Sequence, residues 1–180
     1  MRRRLAGTGR NSSPVSAASE ETMSREIERK FRVREESASA WRNAPCTGIR
    51  QGYLSLDKER IVRVRIAGDE AFLTIKGITR EASRAEYEYP VPVADALEML
   101  DSLCVRPLIE KRRYRVAHQG NLWEVDEFYG DNAGLVIAEI ELETPDQAFS
   151  RPPWIGAEVT DDSRYYNASL VRHPYSLWKP

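Results

Sequence analysis

Cysteine and histidine are scarce in this chain of 180 residues, which holds two of each. Cys46 and Cys104 stand alone in the sequence. They therefore indicate neither a disulfide framework nor a cysteine-rich zinc site, and they are in keeping with a reducing, cytoplasmic location. His118 and His173 are far apart in sequence and do not suggest an imidazole site. Any metal ion bound here should therefore be held by oxygen ligands.

The chain also lacks a long apolar run and an excess of charge of one sign. No stretch approaches the roughly 18 apolar residues of a transmembrane helix, so we expect no membrane partner. With 27 basic and 28 acidic side chains the net charge is −1, which argues against a nucleic-acid-binding protein that works through a broad basic face. The length and a hydrophobic content of 41% suit one domain without disulfide support.

The start of the chain, MRRRLAGTGRNSSPVSAASEET, is small and polar and has no periodicity. It holds too little apolar surface to pack, so we predict a disordered lead over residues 1–22 and a folded domain over residues 23–180. The arginine-rich and serine-rich composition leaves a targeting segment as the alternative. No apolar stretch typical of a secretory signal is present, which favours the disordered lead.

Beyond Arg25 the apolar residues alternate along the chain, as they do in β-strands. Strands are predicted at 25–34, 50–56, 60–67, 70–76, 84–91, 109–117, 121–128 and 135–143. Helices are predicted at 37–43, 93–103, 145–150 and 161–172. Strands with such short connections predict a mainly β (α+β) fold, built on an antiparallel barrel or a strongly curved sheet.

The charged residues of these strands are sorted by sign. Because side chains two apart share a face of a strand, Glu86 lies on the same face as Glu88, and Arg63 on the same face as Arg65. The same holds for Glu26 with Glu28, Lys111 with Arg113, Glu124 with Asp126, and Glu139 with Glu141. An ordinary solvated face is the alternative for any one strand, but such faces tend to mix signs. A closed sheet would place these charges in one lumen, where a bound polyanion and cations would be needed to neutralise them.

This combination of charges suits a ligand that is rich in phosphate. Six basic side chains could surround several phosphoryl groups, namely Lys30, Arg63, Arg65, Lys76, Lys111 and Arg113. The acidic pairs suit Mg²⁺ or Mn²⁺, and a carboxylate that is not bound to metal could orient or deprotonate an attacking water. The folded region contains no G-x-x-x-x-G-K-[ST] loop, so phosphate is not held by a P-loop.

The motifs that follow one another along the chain resemble those of the triphosphate tunnel metalloenzymes, also called CYTH proteins. The run Glu26-Ile27-Glu28-Arg29-Lys30 is similar to the E-x-E-x-K signature of their first strand. The resemblance continues through Gln51-Gly52-Tyr53-Leu54, Arg63-Val64-Arg65, Thr74-Ile75-Lys76-Gly77, Glu86-Tyr87-Glu88, Lys111-Arg112-Arg113-Tyr114, Glu124-Val125-Asp126, Glu139-Ile140-Glu141, Val159-Thr160-Asp161-Asp162 and Arg164-Tyr165-Tyr166-Asn167. The first motif alone would be a weak signal, but the ordered series spans essentially everything after Met23.

The resemblance implies an eight-stranded antiparallel β-barrel that forms a charged tunnel, with a few flanking helices and a C-terminal helix near one mouth. It implies that the six basic residues bind phosphates. It also implies that the metal is held by Glu26, Glu28, Glu139 and Glu141. The catalytic candidates are Lys30, Glu86, Glu88 and Asp126. Of these, Glu86 and Glu88 would serve a second metal or the water nucleophile, and Asp126 would orient basic groups or water.

The function implied by the resemblance is metal-dependent hydrolysis of a triphosphate. Compact bacterial members resemble tripolyphosphatases, whereas relatives act on nucleoside or thiamine triphosphates. Two alternatives stay open: a triphosphate- or polyphosphate-binding protein with little turnover, and an adenylate cyclase of the same fold. The cyclase group typically carries a His-Phe pair ahead of the first motif, and this chain has none. We expect Mg²⁺ or Mn²⁺ as cofactor, a triphosphate or polyphosphate as small-molecule partner, and no nucleic-acid partner; a homodimer is compatible with the resemblance.

Overall fold

The computed structural model describes residues 27–80 and 83–178. Nine strands form the body of the protein. They are β1 (Ile27–Val33), β2 (Cys46–Ser55), β3 (Arg60–Ala67), β4 (Glu70–Arg80), β5 (Ser83–Pro90), β6 (Ile109–His118), β7 (Asn121–Phe128), β8 (Val136–Leu142) and β9 (Ile155–Glu158). Two α-helices accompany them, α1 (Val93–Ser102) and α2 (Asn167–Arg172). The predicted lead over residues 1–22 lies outside the described residues.

All nine strands belong to one antiparallel sheet with the order β5-β4-β3-β2-β6-β7-β8-β1-β9. The predicted mainly β fold is thus confirmed, and each of the eight predicted strands is present. The expected barrel differs in one respect. Within the described ranges no ladder joins β5 to β9, so the sheet is strongly curved but is not closed by hydrogen bonds.

The ninth strand, β9, was not predicted from the sequence. It is four residues long, and it is defined by its pairing with β1 rather than by a pattern of its own. The backbone N–H of Val159 donates to the Lys30 carbonyl at 2.8 Å, and that of Arg34 donates to the Trp154 carbonyl at 3.0 Å. This strand covers the free edge of β1 and thereby extends the sheet beyond the predicted count.

Three of the four predicted helices need correction. No helix forms at 145–150, because Phe149 packs instead against Phe31 and Trp123 on the outer face of the sheet. The prediction at 37–43 corresponds to a 3₁₀ helix at Glu35–Ala40. The prediction at 161–172 is divided into a 3₁₀ turn and α2, because Tyr166 between them has extended backbone. Only α1 matches its predicted range.

Three apolar clusters hold the sheet in shape. The first lies on the outer face of β1, β6, β7 and β8 and contains Trp41, Trp123 and Trp154. The second joins α1 to the outer face of β2 to β4 and is packed so tightly that a Cβ on Gly52 would lie 2.7 Å from Cys104 Cβ. The outer faces of these strands are therefore apolar and packed, whereas Tyr87 and Tyr89 on the outer face of β5 stay exposed. The charged faces of the strands are left on the inside.

The third cluster lies inside the curve of the sheet, at one end. Here Leu170 and Val171 of α2, together with Tyr165, pack on side chains of the inner face such as Ile109 and Ile137. We call this the closed end. It agrees with the expected position of the C-terminal helix near one mouth. No helix in the described part of the chain is long and apolar enough to cross a membrane.

Candidate active site

The inner face of the sheet encloses a cavity of about 560 Å³, which we call the central cavity. Its walls follow from the strand register, because directly opposed residues of an antiparallel pair point to the same face. Lys30 opposes Glu139 across β1 and β8, and Lys76 opposes Glu86 across β4 and β5. Gln51 opposes Arg65 across β2 and β3. The alternation seen in the sequence therefore becomes a charged interior.

All six basic residues predicted to bind phosphate line the central cavity, namely Lys30, Arg63, Arg65, Lys76, Lys111 and Arg113. Four of the predicted acidic residues line it as well, namely Glu28, Glu86, Glu88 and Glu139. Two others do not line it, and a third falls outside the described residues. Asp126 is buried beneath the wall, Glu141 is exposed outside the lining, and Glu26 lies outside the described residues.

One wall of the cavity is built around Glu88 of β5. This carboxylate accepts hydrogen bonds from Thr74 at 2.7 Å, from Arg63 at 3.2 Å and from Arg65 at 3.2 Å. Burial alone would raise the pKa of Glu88, but the Thr74 hydroxyl and the two guanidinium groups hold it below its ordinary value. Glu88 thus stays ionised and fixes both arginines, whose buried Nε atoms have no hydrogen-bond partner among the described residues. These two buried donors are therefore left unsatisfied by the described residues.

The opposite wall is built around Asp126 of β7. Its carboxylate accepts from Lys111 Nζ at 2.5 Å and from Arg113 Nε and Nη2 at 2.7 Å each. Arg113 also donates to Glu124 and, at 2.6 Å, to Glu139. Burial disfavours the charge on Arg113, but Asp126 and the neighbouring carboxylates raise its pKa. Asp126 is only 1% exposed, so its place is behind the two cations, where it orients them toward the cavity.

The pKa of Lys111 is lowered, whereas that of Arg113 is raised. The Lys111 side chain is 2% exposed, and burial lowers its pKa even though Asp126 partly restores the charged form. Its ammonium lies 5.4 Å from the centroid of the Phe128 ring. The lysine is thus held by one carboxylate and one aromatic face at the inner surface of the sheet.

Lys30 bridges two acidic residues that are far apart in the sequence, Glu28 and Glu139. Its Nζ donates to Glu28 at 2.6 Å and to Glu139 at 2.5 Å. Burial and the adjacent carboxylate of Glu139 raise the pKa of Glu28 to about 8. Glu139 behaves in the opposite way, since burial is outweighed by Lys30, Arg113 and Lys111, which lower its pKa. The two pKa values are thus shifted in opposite directions, so Glu139 keeps its negative charge more readily than Glu28 does.

Glu28 and Glu139 are two neighbouring carboxylates on the cavity wall that could together hold a divalent cation. Crowding of two carboxylates raises the pKa of one of them, and a cation that displaces the proton relieves the same repulsion. Mg²⁺ is commonly held by one or two carboxylates and completed by substrate phosphates and water. No cluster of three or more acidic, histidine or cysteine side chains that could hold a metal ion is found in the described ranges.

Of the other two predicted metal ligands, only Glu141 is described, and it is not brought into this pair. Glu141 opposes Glu28 in the register of β1 and β8 and so lies on the same face, but it is exposed and does not line the cavity. Glu26 falls on a residue outside the described ranges. Their role in metal binding stays a prediction.

Glu86 stands apart from the tightly held carboxylates. It accepts from Lys76 Nζ at 2.6 Å, and its side chain is 35% exposed. Glu88 pairs with two arginines, whereas within the described chain Glu86 forms an ion pair with Lys76 alone. Among the acidic side chains on the cavity, it is therefore the one with most freedom to meet a water molecule.

Several cavity residues were not chosen from the sequence as site residues. Gln51 is 1% exposed and donates to the Tyr53 hydroxyl at 3.2 Å. Thr160, Tyr166 and Asn167 reach the cavity from the segment that leads into α2, and the buried Asn167 Oδ1 has no hydrogen-bond partner in the described structure. Gln51 and Asn167 belong to motifs already noted in the sequence. Only the packing of the closed end, however, shows which side chains of these motifs face the cavity. Arg164 instead pairs with Asp162 on the surface.

Comparison with known proteins gives a consistent result. The CYTH domain family matches residues 24–175. The chain is 50% identical over 158 residues to an inorganic triphosphatase of Acetivibrio thermocellus, covering 87% of this chain and 99% of that protein. It is 40% identical over 150 residues to an inorganic triphosphatase of Nitrosomonas europaea, covering 81% and 96% of the two chains.

Solved structures agree with the sequence relatives. The crystal structure of the inorganic triphosphatase NE1496 matches with a TM-score of 0.61 at 35% identity, covering 86% of this chain and 96% of that one. A conserved hypothetical protein from Pyrococcus furiosus matches with a TM-score of 0.50 at 20% identity, over 67% of this chain and 80% of that one. The second likeness concerns the fold alone.

Proposed function

Because the chain belongs to the CYTH domain family, we propose that it is a metal-dependent triphosphatase that hydrolyses a phosphoanhydride bond of inorganic triphosphate in the central cavity. The observation that carries this proposal is the convergence of six basic side chains and a carboxylate pair on one enclosed space. The two relatives named inorganic triphosphatase, which match nearly over their whole length, support the same substrate class.

Substrate binding falls to the two groups of cations on opposite walls. Arg63 and Arg65 are held in place by Glu88 and keep buried Nε donors without a partner in the described chain. Lys111 and Arg113 are held in place by Asp126. Guanidinium groups suit phosphate oxygens because they donate in a planar fork. A chain of three phosphates would thus be contacted from both sides at once.

The carboxylates of Glu28 and Glu139 would hold the divalent cation, which we propose to be Mg²⁺ or Mn²⁺ on the basis of its all-oxygen ligands. When bound, such an ion supplies positive charge to phosphate oxygens and favours ionisation of water. Lys30, between the two carboxylates, would then be free to turn its ammonium toward the substrate. This assignment makes Lys30 a substrate ligand in the loaded enzyme and a counter-ion in the empty one.

Glu86 is the residue that we propose to position the attacking water. It lies on the cavity wall and is engaged by Lys76 alone among the ion pairs of the described residues, so an oxygen remains available. Glu88 is less suited to this role because three donors already occupy its carboxylate and its pKa is lowered. We therefore assign Glu88 to holding Arg63 and Arg65, and Glu86 to the water.

The proposal is tested by measuring orthophosphate released from tripolyphosphate with Mg²⁺ or Mn²⁺, and with EDTA as control. ATP and thiamine triphosphate are assayed in parallel, and the ATP reaction is also examined for cyclic AMP. Metal-dependent release that is fastest with tripolyphosphate supports the proposal. Saturable binding of tripolyphosphate without release indicates a binding protein instead, and formation of cyclic AMP indicates a cyclase.

An Arg63→Ala variant identifies the source of the measured activity. Arg63 lines the central cavity, so the variant should lose most of the phosphate release if that cavity is the active site. Equal release by wild type and variant would mean that the reaction occurs elsewhere or comes from a contaminating phosphatase.

We further propose a cytoplasmic enzyme with no nucleic-acid partner, in line with its free cysteines and balanced charge.

A further inference from the structure

The segment that follows β9 holds the main chain of Lys30. The backbone N–H of Lys30 donates to the Thr160 hydroxyl oxygen at 3.0 Å, and the Lys30 carbonyl accepts from the Val159 N–H at 2.8 Å. Thr160 lies beyond the end of β9, so at this point a side chain takes the place of a strand partner. Both polar groups of the Lys30 backbone are therefore directed toward this segment and away from β8.

This direction of the backbone bonds brings the Lys30 side chain close to β8. In an antiparallel pair, opposed residues that do not bond to each other through their backbones have the closer side chains. Lys30 and Glu139 are opposed, and the Lys30 backbone bonds to the other side, so they form such a pair. The contact between Lys30 Nζ and Glu139 at 2.5 Å agrees with this geometry. The position of the Lys30 main chain thus sets where its ammonium lies in the central cavity.

The Thr160 hydroxyl is itself held in one orientation. Its proton is donated to the Glu158 carboxylate at 2.8 Å rather than to the Lys30 carbonyl, which is 3.5 Å away. Hydrogen bonds from Arg29 lower the pKa of Glu158, so this carboxylate is an acceptor at neutral pH. The Thr160 carbonyl accepts from the Tyr166 hydroxyl at 3.0 Å. Thr160 is therefore fixed through its main chain as well as its side chain, and its hydroxyl oxygen points a lone pair at the Lys30 N–H.

We propose that Thr160 is a positioning residue for Lys30. Its hydroxyl fixes the main chain of Lys30 where β9 no longer does so, and this holds the ammonium at the place from which it reaches the triphosphate. The inference rests on the proposed function, in which Lys30 contacts the substrate once the cation is bound. Thr160 lines the central cavity, but Glu158 takes its proton, so Thr160 acts through Lys30 and not as a donor to phosphate.

The contact is tested by hydrogen exchange of backbone amides, followed by NMR on the full chain without substrate or metal. In Thr160→Val, which has nearly the same shape, the Lys30 amide should exchange about tenfold faster, as expected for the loss of one hydrogen bond. The Arg34 amide, which donates to the Trp154 carbonyl at the other end of β9, corrects for any change in overall stability. Thr160→Ser keeps the hydroxyl and should restore the wild-type rate.

Equal exchange of the Lys30 amide in Thr160→Val and wild type, relative to Arg34, would overturn the proposal. If Thr160→Val does not fold, Thr160→Ala makes the same comparison, because it removes the hydroxyl without placing a methyl group against the Lys30 N–H. The measurement needs neither turnover nor substrate, so its result is independent of the proposed hydrolysis.

Steady-state kinetics with tripolyphosphate test whether the contact serves the reaction. Thr160→Val should lower kcat/KM by about ten- to a hundredfold, the cost of misplacing a group that binds substrate, and Thr160→Ser should recover most of this loss. The matched control is Thr144→Val, at an exposed threonine that does not line the cavity, and it should behave as wild type. Faster exchange at Lys30 with unchanged kinetics would reduce Thr160 to a structural role. A serine variant as impaired as the valine variant would show that the methyl group matters instead of the hydroxyl.

Failure of the proposed function gives a different result from failure of this inference. If wild type releases no phosphate, calorimetric titration with tripolyphosphate in Mg²⁺ replaces the kinetics, since the ligand is then not consumed. Thr160→Val should bind tripolyphosphate about tenfold more weakly than wild type, whereas Thr160→Ser and Thr144→Val should bind it as wild type does. Equal affinities of Thr160→Val and wild type would overturn the positioning role.

Discussion

Lys30 and Glu139 oppose each other directly in the antiparallel register of β1 and β8, with Lys30 Nζ at 2.5 Å from Glu139 Oε1. They are 109 positions apart in sequence, and the first and last charged motifs of the described chain meet through this contact. This pairing brings the carboxylates of Glu28 and Glu139 to the same ammonium group. The pairing of β1 with β8 is the structural event that creates the candidate metal site.

Glu28→Gln should raise the Mg²⁺ or Mn²⁺ concentration needed for half-maximal phosphate release. The substitution is nearly isosteric and removes the group whose charge the cation would meet beside Glu139. Activity should recover in part at saturating metal. Glu141→Gln is the matched comparison on the same pair of strands, and it should have a smaller effect because Glu141 does not line the cavity. If Glu141→Gln raised the required metal concentration more than Glu28→Gln does, the metal site would have to be assigned to Glu141 instead.

Arg65→Ala should lower turnover by about 10²–10³-fold, the cost of removing one preorganised donor to developing charge. The stability of the fold should be nearly unchanged. The variant loses the contact of Arg65 with Glu88, but it also removes the repulsion between Arg65 and Arg63. Steady-state kinetics and thermal unfolding check the two statements. Turnover equal to that of wild type would show that Arg65 takes no part in catalysis.

Asp126→Asn should destabilise the protein by about 3 kcal/mol, since removing one partner of a buried ion pair leaves the other charge uncompensated. Lys111 is that other charge. The Michaelis constant for tripolyphosphate should also rise, because Lys111 and Arg113 lose the carboxylate that aims them. Asp101→Asn, at a side chain 62% exposed, is the control for the chemical change alone.

A merely structural role of Asp126 would leave the Michaelis constant of the folded fraction unchanged. Urea unfolding and kinetics on the same preparation separate the two possibilities. An unfolding free energy close to that of wild type would show that the pair with Lys111 is not maintained in solution.

Glu88→Gln should lower stability at neutral pH and have less effect in acid. The pKa of Glu88 is held below its ordinary value of 4.5 in the folded chain, so its ionised form stabilises the fold above that pH. This contribution is lost as pH falls through the folded pKa. The difference in unfolding free energy between wild type and variant should therefore shrink from pH 7 to pH 3. An unchanged difference would mean that Glu88 is not held by Arg63, Arg65 and Thr74.

Alternation along the strands was enough to predict the inner charged face. Residues such as Arg63 and Arg65 lie two apart, and the two-residue period of a strand places both on one face whatever the tertiary fold. The same period predicted the outer apolar faces that carry Trp123 and Val64. What the sequence could not supply is which sheet edge meets which, so the missing closure between β5 and β9 became visible only in the structure.

Short elements were predicted least well, for a physical reason. β9 has four residues and owes its form to backbone pairing with β1, and Thr160 and Asn167 face the cavity because the segment before α2 turns at Tyr166. Such features depend on tertiary contacts rather than on periodicity. The predicted helix at 145–150 was wrong for the same reason, because packing of Phe149 outweighs a helix-start signal of two residues.

We propose that the triphosphate lies in the central cavity between the two walls of cations. This proposal is tested most directly by a crystal structure of the protein grown with tripolyphosphate in EDTA, so that the substrate is bound without turnover. We predict phosphate oxygens within hydrogen-bond distance of the guanidinium groups of Arg63 and Arg65 and of Arg113 on the opposite wall. Tripolyphosphate found outside the cavity, with Arg63 and Arg65 keeping the hydrogen bonds to Glu88 that they have without it, would show that the triphosphate site lies elsewhere.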